Sequence, residues 1–534
     1  MTQNAASDVL IVGGGLAGLS LAIQLRRELP RLSVRVLERN RHPVPEAAFK
    51  IGESTVEIGA DYFDTVLGLR EHLSQTQIRK FGFRFFFNHG HADVAQTLEL
   101  GVGRVFATPT WQLDRGRLEN DLGRIARELG VDFIDGASVQ GVDCAADDAP
   151  HQARYRRDGV AHTAQARWLI DASGGRGLLR RKFDLTEASP HDANAVWFRI
   201  GEHLRIDDWS DDADWQARVE PRERWRSTNH LCGPGYWAWL IPLASGAHSI
   251  GLVADPKLHP LDTIDTHEKL MAWFARHQPA LQRALAASRA PILDFAFQRH
   301  FAHGCRQVFS PQRWAITGIA GVFLDPFYSP GSDYIAIANT YITDLIARDA
   351  RGESFAREAR TYEQLYFSFY RNMLTLYQDQ YPMFGHAQMM PLKVTWDYAY
   401  YWGVLCQFFF QRRLTDLPLF LRLGAPLSDC EALNRDVQIL LRRAAGADVG
   451  VNSATFIDQQ KLPWFAELNR GLRDELSVEQ LQARVEQSAR TLRALAAEIL
   501  AYVRDHGCSV AIDDLPTLRP LAASDGAGLL REAA

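Results

Sequence analysis

The hexapeptide Gly13-Gly14-Gly15-Leu16-Ala17-Gly18 follows directly on the apolar run Asp8-Val9-Leu10-Ile11-Val12, and an acid, Glu38, closes the next run, Val34-Arg35-Val36-Leu37. In that order these residues spell the binding of a dinucleotide. A continuous apolar run suits a parallel strand buried on both faces. Gly13 allows the tight turn, Gly15 lets the backbone approach a pyrophosphate, and Gly18 lets the following helix pack on the strand. Leu16 and Ala17 open that helix, whose N-terminal N–H groups face the phosphates; Leu16, Leu19, Ala22 and Leu25 then recur at helical spacing. Glu38 is placed to hold a ribose hydroxyl. A lone GxGxxG is weak evidence, but strand, turn, amphipathic helix, second strand and terminal acid in register make a purely structural reading the minority one.

The elements that must carry this chemistry belong to an ordinary globular chain. The 534 residues include 59 Lys and Arg against 64 Asp and Glu, a formal charge of -5, and are 46% hydrophobic, which excludes disorder as the main state. No basic block offers a footprint for nucleic acid or anionic lipid. No apolar run approaches the ~18 residues of a membrane span, and the N-terminus lacks a basic leader, so a soluble cytoplasmic protein is expected. Cys144, Cys232, Cys305, Cys406, Cys430 and Cys508 stand far apart, without the spacing of a zinc site, and read as reduced, mostly buried thiols.

Two later segments separate flavin from nicotinamide. Ala166-Arg167-Trp168-Leu169-Ile170-Asp171-Ala172-Ser173-Gly174 is a strand ending in a small-residue turn, and Trp314-Ala315-Ile316-Thr317-Gly318-Ile319-Ala320-Gly321 carries a strand toward Asp325. These features resemble the FAD-binding fold of the aromatic hydroxylases. The resemblance implies that Asp171 and Gly174 lie at the cofactor and that the Asp325 segment approaches its ribityl chain and ring. Between them, Gln112-Leu113-Asp114-Arg115 leads a helix with Leu118, Leu122, Ile125 and Leu129 on one face; its plain reading is a core helix, and the resemblance makes Arg115 a secondary candidate near the cofactor. The expected fold is α/β: a Rossmann-type, aromatic-hydroxylase-like two-domain flavoprotein with a helical C-terminal region. The FAD-binding domain is expected over 1–184 and 305–350, a substrate-side β-rich region over 185–304, and the helical region over 351–534. No second GxGxxG with strand and helix around it follows, so one dinucleotide is expected.

The segment Trp237-Ala238-Trp239-Leu240-Ile241-Pro242 reads WxWxIP, and Lys50-Ile51-Gly52-Glu53-Ser54-Thr55 carries a GES element, with Lys80 27 positions after Glu53 and leading into Phe81-Gly82-Phe83-Arg84-Phe85-Phe86-Phe87. Alone, the first is a strand with aromatic core residues and Lys80 is a solvated surface lysine. Together they resemble the flavin-dependent halogenases, the tryptophan-halogenase-like group in the broad sense, over roughly residues 5 to 345. The resemblance implies that Gly52, Glu53 and Ser54 abut the flavin, that Trp237, Trp239 and Pro242 line a tunnel, and that Lys80 is catalytic. It also implies a reaction: reduced FAD (FADH2) and O2 turn chloride or bromide into hypohalous acid, which reaches Lys80 beside an electron-rich ring. An ammonium can hydrogen-bond and polarise that acid, and an amine could form a haloamine.

Two departures shape the expected substrate. The segment after the last FAD strand reads Asp325-Pro326-Phe327-Tyr328-Ser329-Pro330-Gly331-Ser332, with Tyr328 where tryptophan halogenases carry Glu. That points away from free tryptophan, toward a phenolic or carrier-protein-tethered aryl substrate in natural product biosynthesis. Pro330 has no N–H to offer a halide, which leaves Gly331 and Ser332 as halide donors. A separate NAD(P)H-dependent flavin reductase is the expected partner. Two other readings stand: an FAD monooxygenase that hydroxylates an aromatic ring, and a non-catalytic FAD-binding scaffold. Farther on, Ser477-Val478-Glu479-Gln480 is a capping box ahead of an apolar stripe through Leu481, Val485, Leu492, Leu495, Ile499 and Val503. The block Trp396-Asp397-Tyr398-Ala399-Tyr400-Tyr401-Trp402 is either aromatic helix core or the roof of an aryl cavity.

Overall fold

The computed structural model describes residues 6–46, 50–146, 148–446, 450, 452–506, 510–522 and 528–530; Cys508 lies outside them. The chain forms two compact units, one of residues 1–77, 113–190 and 302–369, the other of 78–112, 191–301 and 370–534. This division differs from the expected one chiefly in residues 78–112, which join the second unit, and in 351–369, which join the first. The physical reason is strand pairing. Phe83–Phe86 pairs in parallel with Thr228–Gly233 and antiparallel with Glu99–Gly101, which draws the Lys80 segment into the second unit's sheet.

The first unit is built on a seven-stranded sheet. Ser7–Val12 lies between Val34–Leu37 and the C-terminal half of Val160–Asp171, all parallel, with Asp132–Ile134 beyond Val34–Leu37 and Trp314–Ile316 on Val160–Asp171. Val9, Leu10, Ile11 and Val12 are buried on both faces, as a central parallel strand requires. The N-terminal half of Val160–Asp171 instead pairs antiparallel with His151–Arg157. Val160, Ala161, His162 and Thr163 are all exposed there, so this end of the hairpin stands in water on both faces. The helix Leu16–Glu28 follows the glycine turn and Arg115–Glu128 follows Asp114. Of the four residues expected on the latter's inner face, Leu118 and Leu122 are buried and Ile125 and Leu129 half-buried, because Gly123 and Ala126 complete the contact surface.

The second unit is built on an eight-stranded sheet in the order Ile292–Gln298, Asn194–Ile200, His248–Ala254, Tyr236–Pro242, Thr228–Gly233, Phe83–Phe86, Glu99–Gly101, Phe456–Asp458. One face is apolar, aliphatic and aromatic together. Phe86, Val196, Phe198, Leu231, Ala238, Leu240, Ile250 and Leu252 pack there with Leu270, Phe274 and Leu281 of the helices His267–His277 and Pro279–Ala287. The C-terminal helices include Met389–Tyr400, Gly424–Ala445 and Val478–Asp505. The last begins with the expected capping box, Ser477 and Gln480 exchanging side-chain and backbone bonds, and its six stripe residues are all buried. Among the described residues no helix is long and apolar enough to cross a membrane, and no group of His, Cys, Asp and Glu is arranged to hold a metal ion.

A buried ion network holds the Phe83–Phe86 strand. Arg84 and Arg224, both fully buried, share the carboxylate of Glu99; Arg224 Nε is 2.9 Å from Glu99 Oε1, and Asp207 lies 3.7 Å from Arg224 Nη1. Removing one partner of such a network strands charges in an apolar interior. Glu99→Ala should therefore destabilise the protein by about 3–5 kcal/mol in urea unfolding, with a smaller loss when Arg84, Glu99 and Arg224 are replaced together by apolar residues of similar volume.

Candidate active site

In the first unit the glycine turn is shaped by contacts that tolerate no side chain. Gly13 adopts φ +113°, and a Cβ there would run into the Ala172 carbonyl; one on Gly18 would run into the Gly13 carbonyl. Gly15 is the contrast. Its Cβ direction meets nothing within 4 Å. Gly174, in the turn after Asp171, is likewise open on its Cβ side. Two backbone stretches thus present bare surface beside a helix N-terminus, which is the shape a pyrophosphate needs. Leu16 and Ala17 form the first helical positions, so their N–H groups lack intrahelical acceptors.

Glu38 stands at the end of Val34–Leu37 and its carboxylate is already in use. It accepts the Gly14 N–H at 2.7 Å and the Asn40 N–H at 2.7 Å. A carboxylate accepts about four hydrogen bonds, so two acceptor positions remain for ribose hydroxyls while the other two hold the turn. Asp171 is different. Its oxygens accept the Ser173 N–H at 2.9 Å and the Leu179 N–H at 2.7 Å, and burial raises its pKa. Its observed work is to close the turn on which Gly174 sits, rather than to project a side chain outward. Asp325 is buried and accepts the Phe327 N–H at 2.9 Å, fixing the bend ahead of the helix Gly331–Ala350.

Arg115 shapes the GES segment. Its Nη1 donates to the Ile51 carbonyl at 2.8 Å and lies 3.3 Å from the Gly52 carbonyl, while Nη2 donates to Glu119 at 2.6 Å. Lys50 forms an ion pair with the same Glu119. The Leu113 N–H donates to the Glu53 carbonyl at 2.6 Å, and Glu53 and Ser54 are buried. Sequence reasoning missed Asn339. Fully buried in Gly331–Ala350, it accepts from Thr317 at 2.8 Å and donates to Tyr62 at 2.9 Å and Ser20 at 3.2 Å. It thereby ties the glycine-turn helix to the segment after Trp314–Ile316. An Asn inside an apolar helical stripe was the one available signal, since a buried amide needs partners.

Pro330 stands at the start of the helix Gly331–Ala350. Pro330 is the cap, and its carbonyl accepts the Asp333 N–H at 3.0 Å and the Tyr334 N–H at 3.1 Å. Its missing N–H therefore costs nothing at this position, and the N–H groups of Gly331 and Ser332 fall in the first turn of a 20-residue helix, at its positive end, where intrahelical acceptors are lacking. Ser332 is 6% exposed, and its hydroxyl has no hydrogen-bond partner among the described residues. Asp333, the acid in this first turn, accepts the Gly59 N–H at 2.8 Å.

In the second unit Lys80 is not a surface residue. It is 3% exposed, and its ammonium lies 3.4 Å from the centre of the Phe83 ring, a cation–π contact. Its backbone N–H donates to the Thr110 carbonyl at 2.8 Å, and Gly82, at φ +80°, turns the chain from Lys80 into the strand. Phe83 and Phe85 point to the sheet face opposite Arg84, because side chains alternate along a strand. On that face His230 stacks on Phe85 at 4.7 Å and meets Phe83 edge-on at 5.3 Å, and Trp237 lies 5.2 Å from His230 and 5.7 Å from Trp239. Trp237 Nε1 donates to Tyr381 at 3.0 Å, Trp239 Nε1 to Ser249 at 3.0 Å, and Trp239 covers Gly251, where any Cβ would collide with the indole. Pro242 ends the strand opposite His248. From the helix Met389–Tyr400, Tyr398 reaches Phe83 at 6.1 Å, whereas Trp396 and Trp402 are fully buried helix core.

The thiols offer no competing nucleophile. Among the described residues Cys144, Cys232, Cys305 and Cys430 form no disulfide, and burial pushes Cys144, Cys305 and Cys430 up to about 11, far from the thiolate range.

Comparison with known proteins gives an FAD-binding family and halogenase relatives. Residues 6–230 match the family model described as an FAD binding domain. The chain is 25% identical over 430 residues to a flavin-dependent halogenase of Dictyostelium discoideum, covering 74% of this chain and 70% of that protein. It is 25% identical over 363 residues to the 1H-pyrrole-2-carbonyl-[peptidyl-carrier protein] brominase of Pseudoalteromonas luteoviolacea, covering 66% of this chain and 80% of that one. Among solved structures, the halogenase PltM in complex with phloroglucinol and FAD superposes with a TM-score of 0.65 at 17% identity, covering 94% of this chain and 99% of that chain.

The open Cβ direction of Gly15 separates ligand binding from folding. Gly15→Val should leave the thermal transition nearly unchanged while lowering FAD affinity about a hundredfold or more, about 2.7 kcal/mol. Glu38→Ala should weaken FAD by about 1.5–3 kcal/mol and also lower the melting temperature, because the Gly14 and Asn40 N–H groups lose their acceptor. Flavin fluorescence titration and calorimetry on both variants check the pair.

Proposed function

We propose, from the premise that this chain is a homologue of the flavin-dependent halogenases and an FAD-dependent oxidoreductase, that it halogenates an electron-rich aromatic substrate, phenolic or carrier-tethered, with Lys80 as its catalytic residue. The observation that carries this reading is the burial of the Lys80 ammonium on an aromatic sheet face shared by Phe83, Phe85 and the two WxWxIP tryptophans. A lysine loses solvation by entering such a place, and a structural role does not require it there. The relatives support the substrate class: one acts on a carrier-bound pyrrole, and another is seen with phloroglucinol.

FAD, once reduced, supplies with O2 the oxidising equivalents that convert halide to hypohalous acid. The first unit's residues bind it. Gly13, Gly15, Gly18 and Gly174 give the backbone room, Glu38 takes the ribose, and Gly52, Glu53, Ser54 and Asp325 border the ring. The Gly331 and Ser332 N–H groups and the orphaned Ser332 hydroxyl suit a halide, since a helix N-terminus favours an anion. Lys80 donates a hydrogen bond to the oxygen of hypohalous acid and so makes the halogen more electrophilic. The Phe83 face, with Trp237 and Trp239 beside it, holds the ring by stacking and sets which carbon is reached. Reducing equivalents come from a separate NAD(P)H-dependent flavin reductase, because one dinucleotide fingerprint is present.

The test is product mass. Protein, FAD, flavin reductase, NADH and bromide are incubated with phenolic and carrier-bound aryl substrates, and the expected product gains bromine in place of hydrogen; a gain of oxygen instead means a hydroxylase, and no product from any substrate supports the scaffold. Lys80→Met retains the apolar stem on Phe83, so it should keep FAD binding and peroxide release yet lose ring bromination by about 10²-fold or more. Lys80→Arg should fail too, since the guanidinium differs in shape and does not deprotonate. Ser332→Ala should raise the bromide KM roughly tenfold, about one charge-assisted hydrogen bond, with kcat at saturating bromide little changed.

A further inference from the structure

We propose that Arg79, Arg226 and Arg473 hold the phosphodiester of a carrier protein's phosphopantetheine arm, so that the aryl group reaches Lys80 as a tethered thioester. The inference rests on the halogenase reading above and narrows it, choosing the carrier-bound substrate over the free phenol.

Three guanidiniums meet around one short stretch of backbone in the second unit. Arg79 Nη2 donates to the Phe106 carbonyl at 3.0 Å, Arg473 Nη1 lies 3.4 Å from the next carbonyl, that of Ala107, and Arg226 Nη2 donates to the Arg79 carbonyl at 3.1 Å. Like charges gathered in this way repel one another. Burial, with Arg226 and Arg473 beside it, holds the Arg79 guanidinium below its ordinary range. Among the described residues Glu223, 2.8 Å from Arg226 Nη1, is the one acid paired with any of the three, so three cations against one carboxylate leave a surplus of two positive charges. Folding gains nothing from collecting cations without acids, whereas an anion is drawn to such a place.

The position beside Lys80 decides what that anion belongs to. Arg79 and Lys80 are consecutive, with Cα atoms about 3.8 Å apart, and neighbouring side chains on an extended backbone point to opposite sides. Lys80 goes inward, 3% exposed, to the Phe83 ring, while Arg79 and Arg226 are half-buried and Arg473 is exposed. A ligand that engages both must keep its charge near water and carry its ring inward. An aryl carboxylate is too short, because its charge sits within one ring of the reacting carbon. An aryl phosphopantetheine thioester has its parts in the required order: a phosphodiester at one end, a long uncharged chain, and the aromatic acyl group at the other. Planar guanidinium forks also match phosphate oxygens two at a time.

Binding measured apart from turnover tests this, by calorimetry with an aryl phosphopantetheine thioester and with the matching pantetheine thioester that lacks the phosphate. The phosphate should tighten binding to the wild-type protein about tenfold or more, and this advantage should shrink as salt is raised. Arg473→Gln, at an exposed position, and Arg226→Gln should each remove about three- to tenfold of the affinity for the phosphate-bearing ligand, with a much smaller effect on the pantetheine thioester. In bromination assays the KM for a carrier-bound aryl substrate should rise by the same factor. Equal affinity for the two thioesters, or equal losses on both in the variants, overturns the proposal. So does a free aryl carboxylate that depends on the arginines as strongly as the phosphate ester does, since the site then belongs to a small acid. Bromination of free phenols with no preference for phosphate leaves the halogenase reading standing and removes the arginine site alone; phosphate-dependent binding with no brominated product from any substrate leaves the phosphate site standing while the halogenase reading fails.

Discussion

One strand of four residues carries charge on both of its sides. Arg84 points to the interior, where it shares Glu99 with Arg224, and Phe83 and Phe85 point the other way, to the face where the Lys80 ammonium rests on Phe83. Both arrangements cost desolvation, and each tolerates little displacement because a buried charge moved from its partner is left with nothing. The ion network therefore does more than stabilise: it fixes the height and register of the strand that carries the lysine. Gly82 and the Thr110 carbonyl then set the lysine's own backbone. A reaction that depends on where an electrophile is held needs this kind of rigidity, since placement errors of an ångström cost rate steeply.

The first unit uses its polar groups in the same sense. Glu38 holds the Gly14 and Asn40 N–H groups, Asp171 holds Ser173 and Leu179, and Arg115 holds the Ile51 and Gly52 carbonyls. Side chains that look like ligand contacts are thus partly or wholly engaged in shaping loops. What they leave uncovered, at Gly15 and Gly174, is bare backbone. Binding of a pyrophosphate by backbone N–H groups requires just that division of labour. Asn339 extends the logic inward by joining four segments through one buried amide.

The beginning of Gly331–Ala350 shows how the placement of a residue decides its meaning. A proline within an anion-binding turn would remove a donor. As the helix cap it gives up nothing, because the cap's contribution is its carbonyl, and Pro330 bonds Asp333 and Tyr334 through that group. Gly331 and Ser332 then open the helix, and the Ser332 hydroxyl has no hydrogen-bond partner among the described residues.

Local pattern alone determined the nucleotide-binding strand, turn and helix, Glu38 at its strand end, and the capped C-terminal helix, because each is set by neighbours within about twenty residues: glycine where the backbone needs room, apolar residues at the period of the element, Ser and Gln at a cap. The lysine, the WxWxIP tryptophans and the GES element were legible as motifs. Only the tertiary structure decided that Lys80 is buried, that residues 78–112 pair with strands more than a hundred residues away, that His230 and Tyr398 share its face, and that Arg84, Glu99, Arg224 and Asn339 are the hidden supports. The reason is physical: strand pairing between distant segments leaves no periodicity to read, and a charged or polar residue looks the same in sequence whether water or a buried partner solvates it.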